Sequence, residues 1–256
     1  MKIEKRRANK KQNRDRHISE SFHVAAILAI SGGYMDAYTY LVRGEVFANA
    51  QTGNIVLLGI KIMDGKIAEA ANYLIPIMAF AVGILMAELI RNKDSLFQRA
   101  DWRQIVLIIE ISALIIAAFL PVGSMDTPAN TLISFVSALQ MGSFRYVNGN
   151  AFVSTMCTGN LRSGTQCLYH HVFKGDKAMR TRWMHYYGII FFFIAGAAMG
   201  AWATHQLSDG ISIGNWYAAQ FSGQVILGSC LLLAVAVWRV RERKGQNQRM
   251  KNRKRM

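Results

Sequence analysis

The sequence predicts an all-α integral membrane protein with six transmembrane helices arranged as inverted 3+3 repeats. Three observations lead to this fold class. The composition is 52% hydrophobic although the formal net charge is +15, which is unusual for a soluble globular protein. The apolar residues are collected in six long runs, with the charges at their ends and in a few connections. The tripeptide Thr-Gly-Asn occurs at residues 52–54 and again 106 positions later, which indicates an internal repeat.

Six apolar runs are long enough to cross a hydrocarbon core, which takes about 20 residues each. The first three runs and one Thr-Gly-Asn form a first three-helix repeat at 22–121, and the last three form a second at 129–238. A unit with three spans reverses its direction when it is repeated, so the two units are expected to lie antiparallel in the membrane. The runs lie at about 22–42, 69–90, 103–121, 129–147, 184–205 and 216–238.

The basic residues predict the orientation. If both tails are cytoplasmic, 27 of the 30 lysines and arginines lie on the inner side, and only Arg43, Lys61 and Lys66 lie outside. The positive-inside rule therefore predicts a multi-pass membrane protein with both termini in the cytoplasm. The basic tails at 1–21 and 239–256 suit anionic lipid head groups. No aromatic or glycine motif is interleaved with their charge, so a nucleic-acid partner is not expected.

The two Thr-Gly-Asn segments are predicted to form re-entrant half-helices. Residues 43–50 are extended in character, and Thr52 or Asn54 can then cap a short helix at about 55–62. Gly53 allows another part of the backbone to approach closely. The second copy, at 158–160, likewise follows a stretch without a helical apolar face and precedes a candidate helix. A helix of about 8–12 residues is too short to span a bilayer, but it can dip into the bilayer and return.

Two opposed half-helices would direct their free N–H groups and partial positive charge toward the midplane. Such an arrangement favours an anion, a carboxylate or a polar solute. The alternative is that each Thr-Gly-Asn is only a tight turn and helix cap at the membrane surface. The residues predicted to bind solute are Asp36, Thr52, Gly53, Asn54, Gln140, Thr158, Gly159, Asn160 and Arg162.

Asp36 is an acidic residue inside the first apolar run, where a charge is costly and is usually functional. Three roles remain open for it. It can carry a proton or a cation, pair with an arginine such as Arg162, or accept hydrogen bonds from the backbone of the re-entrant segment.

Glu110 and Gln140 are further polar residues inside the runs. On a helix Glu110 shares its face with apolar residues only, so either a pocket or a purely buried position fits it. Gln140 occupies the repeat position of Tyr34 and is either a donor in a pocket or a partner in an interhelical hydrogen bond.

Gly196 and Gly200 form a GxxxG step in the fifth run, which predicts close helix packing. The partner helix can belong to the same chain or to a second copy in a homo-oligomer.

Several motifs occur together in the chain. They are Ser31-Gly32-Gly33-Tyr34-Met35-Asp36-Ala37, both Thr-Gly-Asn copies, Ala138-Leu139-Gln140, Ser143-Phe144-Arg145 and the segment STMCTGNLRSG at 154–164. Together these motifs resemble the YoaK family of bacterial six-span inner-membrane proteins. The resemblance covers roughly residues 20–240 and implies the family's topology and a bacterial inner membrane, but it implies no substrate. In that family an asparagine often follows the glutamine of the second copy, whereas Met141 follows it here.

The function predicted from these features is transport of a small polar or anionic solute. A passive channel with paired half-helices and a non-transporting membrane scaffold are the alternatives. The sequence carries no metal-spaced histidines, nucleophile elbow or phosphate-binding loop, so an enzyme, a cofactor, a metal site and catalytic residues are not expected.

Overall fold

The computed structural model describes residues 22–92, 102–147, 150–151, 155–209 and 223–239. The predicted tails, apart from Arg239, and residues 216–222 of the predicted sixth run lie outside these ranges. The helices are α1 (Phe22–Val42), α2 (Gln51–Met63), α3 (Ile67–Asn92), α4 (Trp102–Phe119), α5 (Asp126–Ser143), α6 (Cys157–Lys174), α7 (Ala178–Asp209) and α8 (227–239), with a 3-10 turn at Gly223–Ile226 and a small antiparallel hairpin of β1 (Tyr146–Val147) and β2 (Asn150–Ala151).

Three helices among the described residues are long and apolar enough to cross a membrane. They are Ile67–Arg91 in α3, Trp102–Phe119 in α4 and Ala178–Gln206 in α7, and Gln224–Arg239 is a shorter apolar helix. These helices identify the chain as a membrane protein by their length and composition.

Helices α1 and α5 lie at the centre of the bundle. Thirteen of the 21 residues of α1 and twelve of the 18 residues of α5 are buried. In the most apolar stretches of α3 and α7, by contrast, only 22% is buried inside the protein. Helices α3 and α7 therefore present apolar side chains to the surroundings, as expected in a bilayer.

The predicted fourth run is wrong at its carboxyl end. It was expected to reach 147, but α5 ends at Ser143 and the hairpin follows. Arg103 donates from Nε to the carbonyl oxygen of Ser143 at 3.0 Å, which satisfies one of the terminal carbonyls. Arg145 then forms an ion pair with Glu88 on α3. The helix thus ends where charged side chains begin to pair.

The packing of the helices is reciprocal. Helix α1 packs along α7, and α5 packs along α3. The first span of each predicted unit therefore contacts the second span of the other unit. Each helix that carries a Thr-Gly-Asn copy packs on the longer helix that follows it, α2 on α3 and α6 on α7.

Glycine allows the close contact between α1 and α7. A Cβ atom added at Gly33 would collide with the backbone oxygen of Phe193, and one added at Gly196 would collide with that of Ile30. A Cβ at Gly200 would lie 2.8 Å from the backbone oxygen of Tyr34. The GxxxG step therefore packs within one chain, which resolves one of the alternatives left open by the sequence.

Candidate functional site

The connection between α1 and α2 turns back into the protein. Helix α1 ends at Val42 because Gly44 and Glu45 adopt left-handed backbone conformations, with φ of 78° and 59°. Val46, Ala48 and Asn49 are then buried. An ordinary surface loop would expose such residues, so this connection brings the start of α2 against the middle of the bundle.

Asp36 binds this connection directly. Its side chain is 5% exposed, and Oδ1 accepts the backbone N–H of Asn49 at 2.6 Å. The amides of Ala48 and Ala50 also interact with the carboxylate. Asp36 thus acts as an acceptor for the backbone before α2, one of the three roles left open. Arg162 is exposed on α6 and forms no ion pair with Asp36 in the part of the chain that the structure describes.

Asn54 fixes the connection to the first turn of α2. It is fully buried, and its Oδ1 accepts the backbone N–H of Phe47 at 2.9 Å while Nδ2 donates to the backbone oxygen of Phe47 at 2.8 Å. Gly53 leaves room for this arrangement, since a Cβ there would lie 2.8 Å from the Phe47 ring. Thr52 is exposed. The side chains of Thr52 and Asn54 therefore point in different directions, Thr52 outward and Asn54 into the protein.

The predicted helix cap is wrong. Helix α2 begins at Gln51, four residues before the predicted start, and its N-cap Ala50 makes no side-chain capping bond. Thr52 and Asn54 lie inside the first turn, and the amide of Asn54 is already bonded to Phe47. Asp36 on α1 instead accepts backbone amides that immediately precede the helix, among them that of Asn49, and local sequence patterns do not reveal this contact.

The predicted length of 8–12 residues is wrong for the second copy, because α6 has 18 residues, but α6 begins at the position equivalent to the start of α2. Helix α6 starts at Cys157, so Thr158, Gly159 and Asn160 occupy the same positions of the first turn as residues 52–54 occupy in α2. The residues before the two helices have similar backbones, with φ/ψ of −80°/64° at Ala50 and −95°/78° at Met156. Asn160 is buried, whereas Thr158 and Gly159 are exposed. The two helices thus begin in the same way, 106 residues apart.

The two segments that lead into α2 and α6 converge on Gly32. Asn49 donates from Nδ2 to the carbonyl oxygen of Gly32 at 3.2 Å. The methyl group of Thr155 lies against the Cα of Gly32, where an added Cβ would collide with it. Asn49 and Thr155 are 106 positions apart, so they are equivalent in the repeat. Ten residues of α1 precede Gly32 and ten follow it, which places the meeting point at the middle of that helix.

Glu110 and Gln140 form a second polar group inside the bundle. Both are fully buried, and Gln140 Nε2 donates to the two carboxyl oxygens of Glu110 at 2.9 and 3.0 Å. Gln140 therefore makes an interhelical hydrogen bond between α4 and α5. Glu110 was not among the residues predicted to bind solute, because its own helix face is apolar. Its partner comes from another helix, and only its acidic character in an apolar run pointed to it.

Arg43 is also fully buried, although the sequence suggested an ordinary charge outside the membrane. Its guanidinium group makes five hydrogen bonds and closes the carboxyl end of α4, where helix carbonyls lack partners. The bonds run to Tyr38 Oη (2.8 Å), the carbonyl oxygens of Ala117 (2.8 Å), Leu120 (2.9 Å) and Pro121 (3.1 Å), and Asp126 Oδ1 (3.3 Å).

A groove of about 620 Å³ lies between α3 and α5. Its walls are apolar apart from two threonine hydroxyls, so it suits a lipid acyl chain better than a polar solute. The lining residues are Ile75, Ala79, Val82, Thr127, Pro128, Thr131, Leu132 and Phe135.

A family model described as "Protein of unknown function (DUF1275)" matches residues 24–238, which include both Thr-Gly-Asn copies and the helices around them. The chain belongs to this family. It is also similar to the UPF0700 transmembrane protein YoaK of Bacillus subtilis (strain 168), with 29% identity over 143 residues. That match covers 54% of this chain and 63% of the relative, so less than two thirds of the relative's length. The resemblance to the YoaK family is confirmed. No solved structure matches the chain.

Proposed function

We propose that this protein transports a small polar or anionic solute across a bacterial inner membrane. In this proposal six spans form two inverted repeats, both termini are cytoplasmic, and the chain catalyses no reaction and holds no cofactor. The observation that carries the proposal is the convergence of Asn49 and Thr155, equivalent in the repeat, on the middle of α1. Inverted-repeat transporters bind their solutes where discontinuous helices meet between the two halves.

Reciprocal packing supports the inverted arrangement. If a two-fold axis in the membrane plane relates the units, the contact of α1 with α7 must be matched by a contact of α5 with α3. Both contacts exist. The matching starts of α2 and α6 agree with the same relation.

An asymmetry between the two halves supports a solute that carries a carboxylate or another hydrogen-bond acceptor. Asp36 supplies a carboxylate to the backbone before α2, but its repeat counterpart is Gly142. The hydroxyl of Thr155, before α6, is buried and has no hydrogen-bond partner among the residues that the structure describes. A solute with a carboxylate or another acceptor group can take the place beside α6 that Asp36 takes beside α2, where helix amides favour negative charge.

Flux into proteoliposomes tests the proposal. Osmotic swelling would be followed by light scattering with acetate, formate, nitrate, urea and glycerol, and with empty liposomes as the reference. We expect protein-dependent flux of at least one of these solutes and a reduced flux in Thr155→Val. Thr181→Val, an exposed threonine on α7, is the matched control. Flux that saturates with concentration indicates a carrier, and flux proportional to concentration indicates a channel.

A non-transporting scaffold is the second candidate. It is favoured by Asp36, Asn54 and Arg43, which are all bonded to the chain's own backbone. Equal permeability of empty and protein-containing vesicles to the whole solute series would support this reading and contradict transport.

Two partner assignments belong to the proposal. We propose that the basic tails bind anionic head groups, which binding to vesicles with and without anionic lipid would test. The exposed apolar side chains of α2, such as Ile55 and Val56, would face lipid or a second copy of the chain. The oligomeric state in a mild detergent distinguishes these two surroundings.

A further inference from the structure

Two carboxyl groups lie inside the bundle, and their surroundings differ. Asp36 receives backbone N–H groups from the connection before α2. Glu110 is fully buried and receives only the side-chain amide of Gln140. No lysine, arginine or histidine of the described residues pairs with Glu110. An ionised carboxylate without a cation is costly in an apolar interior, so Glu110 is the carboxyl better suited to hold a proton.

The other groups that face Glu110 are neutral. Helix α5 supplies Gln140. Helix α8 supplies the thiol of Cys230, which donates to the backbone oxygen of Ile111 at 3.9 Å and lies within the electrostatic range of Glu110. Neither of these groups supplies a positive charge that would hold Glu110 ionised.

A buried polar face of α5 leads away from this carboxyl. Asn130, Ser134, Ser137 and Gln140 follow one another at steps of four, three and three residues, and all are at most 1% exposed. Within the described part of the chain, three of their oxygens have no hydrogen-bond partner, namely Asn130 Oδ1, Ser134 Oγ and Gln140 Oε1. Unpaired buried oxygens are rare in native proteins and usually bind water.

The orientation of the two amides identifies these oxygens as acceptors. Asn130 Nδ2 donates to the backbone oxygen of Arg43 at 2.7 Å, and Gln140 Nε2 donates to Glu110. Each amide therefore directs its NH₂ group to a known acceptor and leaves its oxygen free. Water or a protonated group supplies the donors that such oxygens need.

We propose that Glu110 is the proton-binding site of the proposed transporter, and that water along the polar face of α5 connects it to the outer end of that helix. The inference rests on the proposed function for its role in transport. When Glu110 is ionised, both oxygens accept from Gln140 Nε2. When it is protonated, its O–H can donate to Gln140 Oε1 after rotation of the amide. Protonation thus changes the contact between α4 and α5, through which a proton can be coupled to helix movement.

Infrared spectroscopy of the protein in lipid tests the site without a known solute. A protonated carboxylic acid shows a carbonyl stretching band apart from the amide bands. We expect the wild-type band to decrease as pH is raised from mildly acidic to alkaline buffer. The band should be lost in Glu110→Gln and kept in Asp36→Asn, the matched control.

The water path has its own test. The band should shift on transfer to heavy water, and the shift should be several-fold slower in Ser134→Ala. Ser112→Ala is the control, because Ser112 is exposed on α4 and bonded only to the backbone of its own helix. Equal exchange rates in both variants would overturn the proposed path.

Absence of the band in the wild type, or its persistence in a folded Glu110→Gln protein, would overturn the proton site. If Glu110→Gln does not fold, Asp36→Asn still decides, since loss of the band there would assign it to Asp36. The proposed function fails separately. An intact Glu110 band without any solute flux would reject transport and leave the proton site standing. Solute flux without the band would reject the proton site and leave transport standing.

Discussion

Replacement of Arg43 by methionine should destabilise the protein more than any change to an exposed arginine. Arg43→Met keeps much of the side-chain volume but removes all five donors. The acceptors that lose this donor include the carbonyl oxygens of Ala117 and Leu120 at the end of α4. The Asp126 carboxylate also loses its cation.

The magnitude follows from these contacts. A hydrogen bond to a charged group contributes about 1.5–3 kcal/mol, and breaking a buried ion pair costs about 3–5 kcal/mol. Such terms do not add when they share one side chain, so we expect a loss of about 4 kcal/mol. At about 2–4 °C per kcal/mol for a protein of this size, the melting temperature should fall by about 10 °C. Arg43→Lys should show roughly half of this loss, because a single ammonium group cannot reach the acceptors on α1, at the end of α4 and on α5 at the same time.

Thermal unfolding in detergent measures the effect. A thiol-reactive dye reports unfolding, since Cys230 is buried in the folded protein. Arg162→Met is the matched control, because Arg162 is exposed on α6. If Arg43→Met melts within error of both the wild type and this control, the structural role of Arg43 is refuted.

Three further predictions use the same preparation. Asp36→Asn keeps an acceptor for the backbone amides and should cost about 1 kcal/mol, whereas Asp36→Leu removes it and should cost about 3 kcal/mol; equal melting temperatures would contradict the acceptor role. Gly196→Leu should prevent folding because α1 lies against the glycine, while Gly59→Leu, where an added Cβ meets nothing within 4 Å, should fold normally; equal yields of the two would count against this packing. Single cysteines at Asn54 and Asn160 should label poorly with a bulky impermeant maleimide because both positions are buried; ready labelling of both would favour surface turns.

Features that depend on local pattern were predictable from the sequence. The bounds of α1 agree with the first apolar run, and α2 and α6 start 106 residues apart, as the repeat requires. The GxxxG step predicted close packing, but it could not identify α1 as the partner. Hydrophobic periodicity describes one helix at a time, whereas its partner depends on the whole fold.

Contacts between distant residues were not predictable. Asp36 bonds the backbone that precedes α2, and it acts from a different helix. Arg43 reaches carbonyl groups 74 to 78 positions further along the chain, and Glu110 meets Gln140 across 30 positions. The sequence predicted the end of α5 too far along the chain for a similar reason, because a contact with Arg103 on α4 helps to end this helix at Ser143. In each case tertiary contacts decide what local propensity leaves open.

The sidedness of two equivalent loops tests the inverted repeat most directly. Asp64 follows α2 and Asp176 follows α6, and both are exposed. Each would be replaced by cysteine after the native cysteines are changed to alanine, and intact cells with a permeable outer membrane would be treated with an impermeant maleimide. Inverted repeats with cytoplasmic termini predict that Asp64→Cys labels in intact cells and that Asp176→Cys labels only after lysis. Labelling of both from the same side would contradict the antiparallel arrangement and the transport proposal that depends on it.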